Sequence, residues 1–329
     1  MLNREATEPV ITSMPPVLLA DIGATNCRFG AVGADGRPER VFKLRGDAVA
    51  SAEAAITRYL DEASLRPRAA VLAVAGPIEG DTVTLTNRAW SFRLSEMAAH
   101  FGWTAARCVN DFEAVAWSVQ RLTADDVRPL GPAMPEASGT RVVFGPGTGL
   151  GVAALVPSGE RWQVIATEGG HVSFGAARHD EEPIFARLRA ECGAVSAETV
   201  LSGPGLERLH RAMHGAHEKR PAAAITADGH RGEAAARDSV LMFVRLFGRF
   251  AGDLALMFKA TGGVFIGGGV ARRIGPLLDD PAFREAFEAH PPYSKLLQGI
   301  PTTLITLDEP GLLGCAAIAQ EMLGTGRSG

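Results

Sequence analysis

The sequence predicts an α/β protein whose core is built twice, and three observations carry that reading. Residues 18–30 form an apolar run, a small-residue turn with Asp21, Gly23, Ala24, Thr25 and Asn26, and a second apolar run. Residues 142–155 repeat the plan, with Gly145, Gly147, Gly149 and Gly151 on alternate positions. Each strand–turn–strand unit is followed by a third strand and then by helices alternating with strands, the order expected of a sheet with helical crossovers.

Taken in order, residues 17–21, 27–32 and 40–44 read as three strands, with Ala34, Asp35 and Gly36 as the turn between the last two. The Ala-rich stretch 49–65 is helical. Residues 69–75 are a buried apolar strand stopped by Gly76 and Pro77, and 81–85 a short strand. Ser95 is placed to cap a helix through Phe101. Residues 107–109 are a strand that runs straight into Asn110 and Asp111, and 112–122 a helix. The first half thus reads βββαβαβα, leaving aside the short strand.

Residues 123–140, rich in Pro, Gly and Asp, read as a domain connection. In the second half a third strand follows at 161–165, then helices at 182–191 and 205–214 and a polar loop at 217–231. The longest helical pattern is 233–259, with Val240, Phe243, Leu246, Phe250, Leu254 and Phe258 on one apolar stripe. Gly262 and Gly263 precede a strand at 264–266, and Gly267, Gly268 and Gly269 follow it. A helix from Val270, a last strand at 301–307 and a closing helix at 311–323 complete the chain.

The length of 329 residues implies about two domains. A net charge of −4 with no basic block argues against nucleic acid as a partner. Cys27, Cys108, Cys192 and Cys315 are far apart, which suits neither a zinc site nor a disulfide framework and fits a reducing cytosol. The first sixteen residues carry Arg4, Glu5 and Glu8 without an apolar core, so they do not read as a signal peptide. No uncharged run is long enough to span a bilayer. The expectation is a soluble cytoplasmic protein with no membrane partner and a flexible tail over residues 1–16.

The two turns have a chemistry beyond hairpin geometry. Glycine lets a phosphate approach backbone N–H groups closely. Asp21 ends an apolar run, where a carboxylate needs hydrogen bonds or a cation; magnesium carried by a nucleotide would satisfy it, usually through water. Neither turn is a Walker A loop, since no Gly-Lys-Ser/Thr follows, and neither has the dinucleotide spacing Gly-x-Gly-x-x-Gly. Each could still be an ordinary polar hairpin turn.

Six motifs fall in a fixed order: Asp21-Ile22-Gly23-Ala24-Thr25-Asn26, Asn110-Asp111-Phe112, Gly147-Thr148-Gly149-Leu150-Gly151, Glu168-Gly169-Gly170-His171, Ser202-Gly203-Pro204-Gly205 and Gly267-Gly268-Gly269. In that order they resemble the bacterial glucokinases of the sugar kinase, heat-shock ATPase and actin superfamily. The resemblance covers nearly all of the chain after the tail. Ala24 stands where a second glycine is common, and the Cys-rich zinc motif of the repressor/open-reading-frame/kinase relatives is absent after Glu168-x-x-His171, which favours the zinc-free branch.

The resemblance implies a two-lobed actin-like ATPase (ribonuclease H-like) fold, a duplicated βββαβαβα core with an interlobe cleft. It places a small domain at 17–122 plus about 312–329 and a large one at 123–311. It implies ATP-dependent phosphorylation of the C6 hydroxyl of glucose, feeding glycolysis, with Mg²⁺ as cofactor and a homodimer as the assembly. Asp111 becomes the general base, at a strand end and helix start where the positive helix end favours an ionised carboxylate. Asn110, Glu168, His171 and Glu198 join it around the sugar. Ala20, Asp21, Ile22, Gly23, Ala24, Thr25, Asn26, Gly147, Thr148, Gly149 and Gly268 would meet the nucleotide, with Asp21 holding Mg²⁺ through water. Thr86, Asn87 and Trp90 would belong to a rim over the sugar.

Plainer roles compete at each position. Asn110 and Asp111 could be helix caps, Glu198 could cap the turn after Ser196, and Glu168 with His171 could be half a metal site lacking its other ligands. Gly267–Gly269 could be an ordinary βα turn, Trp90 core, and His210, His214 and His217 a solvated helix face. At the level of function, the alternatives are a kinase for another hexose and a non-catalytic sugar-sensing regulator. The regulator would expect a DNA-binding helix-turn-helix before the first strand and loss of the base, whereas Asp111 is present.

Overall fold

The apolar runs at either side of the first turn pair with each other. A computed structural model describes residues 16–23, 25–86, 88–131, 138–215 and 219–324; Ala24, Asn87, His217 and the tail before Pro16 lie outside the described residues. Strands β1 (Val17–Ile22), β2 (Asn26–Val32) and β3 (Pro38–Arg45) form an antiparallel meander, with Asp21 opposite Arg28 in the register. Helix α1 (Ala52–Ala63) starts where Ser51 Oγ accepts the Ala54 N–H at 3.0 Å and stops at Ser64, in the left-handed region with φ 52°. It buries Ile56 and Tyr59, the latter stacked on Phe29 at 5.4 Å. Strand β4 (Ala69–Val74) is buried along its whole length and lies parallel to β1.

Next come β5 (Ile78–Glu79), β6 (Thr82–Thr84) and β7 (Ser91–Arg93), a small antiparallel sheet. Only the middle strand has a signal in the sequence. Helix α2 (Leu94–Phe101) follows, and Ser95 lies inside it rather than at its cap. Asp81 takes that role from outside: it accepts the Ser95 N–H at 2.9 Å and the Ser95 hydroxyl at 2.6 Å. Trp90 is core, 8% exposed, with the Arg88 guanidinium 4.6 Å above its ring. Strand β8 (Ala105–Asn110) completes a five-stranded sheet of order β3-β2-β1-β4-β8.

Helix α3 (Asp111–Ser118) opens the second half. The expected connection at 123–140 holds a short strand, β9 (Val127–Pro129), which pairs antiparallel with the last strand of the second sheet; residues 132–137 lie outside the described residues. Strands β10 (Arg141–Pro146), β11 (Leu150–Ser158) and β12 (Arg161–Thr167) form a second meander. Then come α4 (Glu182–Cys192), α5 (Ala197–Val200), α6 (Gly203–His214), α7 (Ala222–His230) and α8 (Ala234–Met257). The stretch read as a loop at 217–231 thus contains α7. Its first donor is met by Glu207, which accepts the Ala222 N–H at 3.0 Å, and it buries Ile225 and Thr226. Ile225 is its only large apolar residue, so no helical stripe shows in the sequence.

Strand β13 (Gly263–Ile266) runs parallel to β10, and after α9 (Gly269–Ile274), α10 (Pro281–Glu288) and α11 (Ser294–Gln298), β14 (Thr302–Ile305) runs parallel to β13. Helix α12 (Pro310–Gly324) closes the chain. The second sheet has the order β12-β11-β10-β13-β14-β9. Its first five strands repeat the first sheet's order, so the duplication expected from the two turns is present as topology. This is the actin-like ATPase fold.

Contacts divide the chain into two units, Met1–Val109 with Ile318–Gly329, and Asn110–Ala317. The division expected after residue 122 comes earlier, because α3 packs on β10, β11 and β12. In the first unit Gln320 covers Gly36, and Arg107 pairs with Glu321 at 3.6 Å. In the second, α8 supplies the main core: Phe247 and Phe250 hold Phe144 of β10 at 4.6 and 5.7 Å between ring centroids. Gly248 lets α10 cross α8 closely, since a side chain there would strike the Phe283 carbonyl. Among the described residues, no helix is long and apolar enough to cross a membrane.

Candidate active site

Residues Asn110, Asp111, Glu168, His171 and Glu198 all belong to the second unit. Asn110 is the N-cap of α3: its Oδ1 accepts the Phe112 N–H at 2.9 Å and the Glu113 N–H at 3.4 Å. Asp111 Oδ1 accepts the same Phe112 N–H at 2.9 Å. The capping role considered for Asn110 is therefore real, and it uses the side-chain oxygen. A sugar hydroxyl would have to be met by the amide –NH₂. Phe112 turns its ring into the space over Gly151, which ties the start of α3 to the start of β11.

Beside that start lies the second glycine turn. Gly147 donates its N–H to Gly149 O at 2.8 Å, and Gly203 donates to Gly147 O at 2.9 Å. Glu198 does not cap its own short helix, a job done by Ser196 and Thr199. Instead Glu198 Oε2 accepts the Leu150 N–H at 2.8 Å. The turn is thus held from the α5–α6 segment by one backbone donor and one carboxylate.

Glu168 precedes and His171 ends a single 3₁₀ turn, Gly169–His171, with Glu168 Oε2 3.9 Å from His171 Nε2. Both side chains are exposed, at 85% and 59%. Gly170 must be glycine, because a side chain would strike the Leu150 carbonyl. The following residues reach α5: Ala197 donates to Val172 O at 3.0 Å and Phe174 to Val195 O at 2.9 Å. Further along, Arg249 latches this segment. It donates to Gly175 O at 2.6 Å, pairs with Glu181 at 2.8 Å and lies 4.4 Å over the Phe174 ring. Glu181, almost fully buried, is shared with Arg245 at 3.2 Å.

Gly268 takes a positive φ of 86° at the start of α9, and a side chain there would come within 2.5 Å of the Pro146 carbonyl. Its glycine is required by the backbone whatever binds nearby. A shallow pocket of about 470 Å³ lined by Gly269, Arg272, Arg273, Thr306 and Asp308 opens beside it.

In the first unit, the Asp21–Asn26 turn is closed by Gly23 donating to Asn26 O at 3.0 Å, and Thr25 O accepts from Gly46 N. Gly23 and Gly147 therefore spend their N–H groups within their turns; Thr25, Asn26 and Thr148 remain as polar side chains at the tips. Ala20 and Ile22, expected at the nucleotide, are fully buried, so their side chains belong to the core. Asp21 is half-buried, with Arg28 3.4 Å from Oδ2. Among the described residues, no cluster of three or more His, Cys, Asp or Glu could hold a metal by protein ligands alone. The donor set suits a magnesium that brings phosphate and water ligands and needs one carboxylate.

The solvated-face reading fails at His210, which is 5% exposed, and holds at His214, which is exposed; both rings reach Ser239 Oγ, at 2.8 and 3.0 Å. The motifs contain Phe112, Leu150 and Gly151, but nothing in them signals which partner each one meets.

Comparison with known proteins follows the same outline. The family model described as Glucokinase matches residues 18–322. A relative named Glucokinase from Chelativorans sp. (strain BNC1) is 41% identical over 312 residues, 93% of this chain and 91% of that protein. The crystal structure of a glucokinase from an Antarctic psychrotroph is 34% identical, with a TM-score of 0.86 over 94% of this chain and all of that one. A ROK family glucokinase from Streptomyces griseus, solved with glucose and AMPPNP, shares the fold at 21% identity and a TM-score of 0.64, covering 93% of this chain and 99% of that one.

Proposed function

The chain belongs to the glucokinase family and is on that ground a glucose-phosphorylating kinase; from this premise we propose how its residues divide the work. The observation that carries the proposal is the joint bracing of the sugar candidates. Asp111 is tied through Phe112 to Gly151, and Glu198 to Leu150, one residue away on the same strand.

Glucose is held by Asn110, Glu168, His171 and Glu198, and its C6 hydroxyl lies against Asp111. The Asp111 carboxylate takes the proton as O6 attacks the γ-phosphorus of ATP. The new O6–P bond forms while the bond from the γ-phosphorus to the bridging oxygen breaks, and ADP leaves with that electron pair. Thr148 and the backbone of Gly149 meet phosphate oxygens, and the adenosine lies beside Gly268. In the first unit, Thr25 and Asn26 are read as phosphate-facing, with Asp21 as the magnesium residue through water. When bound, Mg²⁺ neutralises phosphate charge and fixes the in-line geometry. We also read the protein as cytoplasmic and as a homodimer, in keeping with its free thiols and with the family resemblance of its motifs.

The test is a coupled assay for hexose 6-phosphate with Mg·ATP, on wild type and Asp111→Ala, across glucose, mannose, fructose and N-acetylated amino sugars. Glucose-selective turnover that collapses in the variant while glucose still binds is the expected result. Wild-type preference for another hexose would redirect the substrate, and sugar binding without any turnover would leave a sensor.

A further inference from the structure

We infer that Glu198 does more than contact the sugar. It also pins the phosphate-facing turn Gly147–Leu150 in place, and so is a positioning residue through which the sugar and nucleotide sides of the site are linked. This rests on the reading of the chain as a glucose kinase, and deepens it.

The geometry is direct. Leu150 is 4% exposed, and Glu198 Oε2 accepts its N–H at 2.8 Å. A buried backbone donor left without a partner is costly, and a carboxylate acceptor makes a stronger bond than a neutral one. The other end of the turn is also held from the α5–α6 segment, through Gly203 N to Gly147 O at 2.9 Å. The path of the turn therefore follows Glu198 and its neighbours.

Gly149 makes the link reciprocal. A Cβ on Gly149 would stand 2.6 Å from Glu198 Oε2 and 3.3 Å from its Cδ. A methyl group there would displace the carboxylate from Leu150. A change on the phosphate side would then be felt as lost sugar affinity, as linkage between two sites requires. A ligand hydroxyl that draws on the Glu198 carboxylate acts in the same way from the sugar side.

The experiment uses Glu198→Ala, Glu198→Gln and Gly149→Ala with three readouts. The first is amide exchange of the 147–153 peptide in the ligand-free protein. The second is binding of a fluorescent ATP analogue without sugar, and the third is glucose binding by calorimetry without nucleotide. Glu198→Ala should speed exchange at 147–153 and weaken the nucleotide about tenfold, while Glu198→Gln, which keeps an acceptor oxygen, restores both. In steady state, Glu198→Gln raises KM for glucose and leaves KM for ATP near wild type, whereas Glu198→Ala raises both. Gly149→Ala should weaken glucose about tenfold with no nucleotide present. Wild-type nucleotide binding and exchange in Glu198→Ala, or wild-type glucose affinity in Gly149→Ala, would overturn the inference. If Glu198→Ala does not fold, Gly149→Ala still decides it. Absence of glucose turnover by wild type would sink the function alone, because exchange at 147–153 reads the pin without any ligand.

Discussion

The ring of Phe112 fills the space that a side chain on Gly151 would need. Phe112 also gives its N–H to both Asn110 Oδ1 and Asp111 Oδ1, each at 2.9 Å. The orientation of Asp111, the proposed base, is thus set from a neighbouring strand. Gly151→Ala should move the ring, and with it Asp111. Overpacking of this kind costs about 1–3 kcal/mol. We expect a lowered melting temperature and a larger proportional loss in kcat than in glucose affinity, read by steady-state kinetics and calorimetry.

Asn110 combines an observed cap with a proposed sugar contact, and the two can be separated. Asn110→Ala loses the cap acceptor, at a cost of about 1 kcal/mol, and also the amide donor proposed for the sugar. Asn110→Asp keeps an oxygen for Phe112 and Glu113 but has no –NH₂. It should regain most of the thermal stability and little of the glucose affinity. Full recovery of affinity in Asn110→Asp would mean that the amide does not touch the sugar.

His210 makes stability depend on pH. Burial first, then the neighbouring His214 and Arg220, push its pKa below the ordinary 6.5. The folded chain thus refuses a proton that the unfolded chain accepts. The contribution of the neutral ring is intact above pH 6.5 and is lost as pH falls from there toward the lowered value. Thermal melts between about pH 7.5 and 5 should show this decline, and His210→Asn should flatten it. An unchanged slope would assign the decline to other groups.

The crossing of α8 and α10 is equally specific. Gly248→Ala would drive a methyl group into the Phe283 carbonyl. Denaturant titration should show a loss of about 1–3 kcal/mol or more, with glucose affinity in the surviving folded protein near wild type.

The sequence was most legible where a local pattern records the structure. Both meanders, α1 and the long stripe of α8 follow from alternation, helical period and turn residues within a few positions. Asp111, Glu168 and His171 are proposed for the site because they stand in motifs of fixed order. What escaped has partners far along the chain. Strand β9 is three residues long and exists because β14 offers it an edge. Ser95 looked like a cap, but Asp81, fourteen residues earlier, supplies the acceptors. The bond from Leu150 to Glu198 spans forty-eight positions, and no spacing rule could announce it. Glycine showed where backbone would come close, as at Gly151 and Gly268, without showing to what.

The repeated strand order also bears on how the chain reaches its fold. Each half begins with a three-strand meander whose contacts are local, β1 to β3 in one and β10 to β12 in the other. Local pairings form early because little loop entropy is lost before they are rewarded. Contact order thus predicts two local nuclei, one in each half. They should be completed at different rates: β4 joins β1 after a single helix, whereas α4 to α8 lie between β10 and β13. By this loop-entropy argument, the half that holds Asp111 and Glu198 is expected to be the slower to finish.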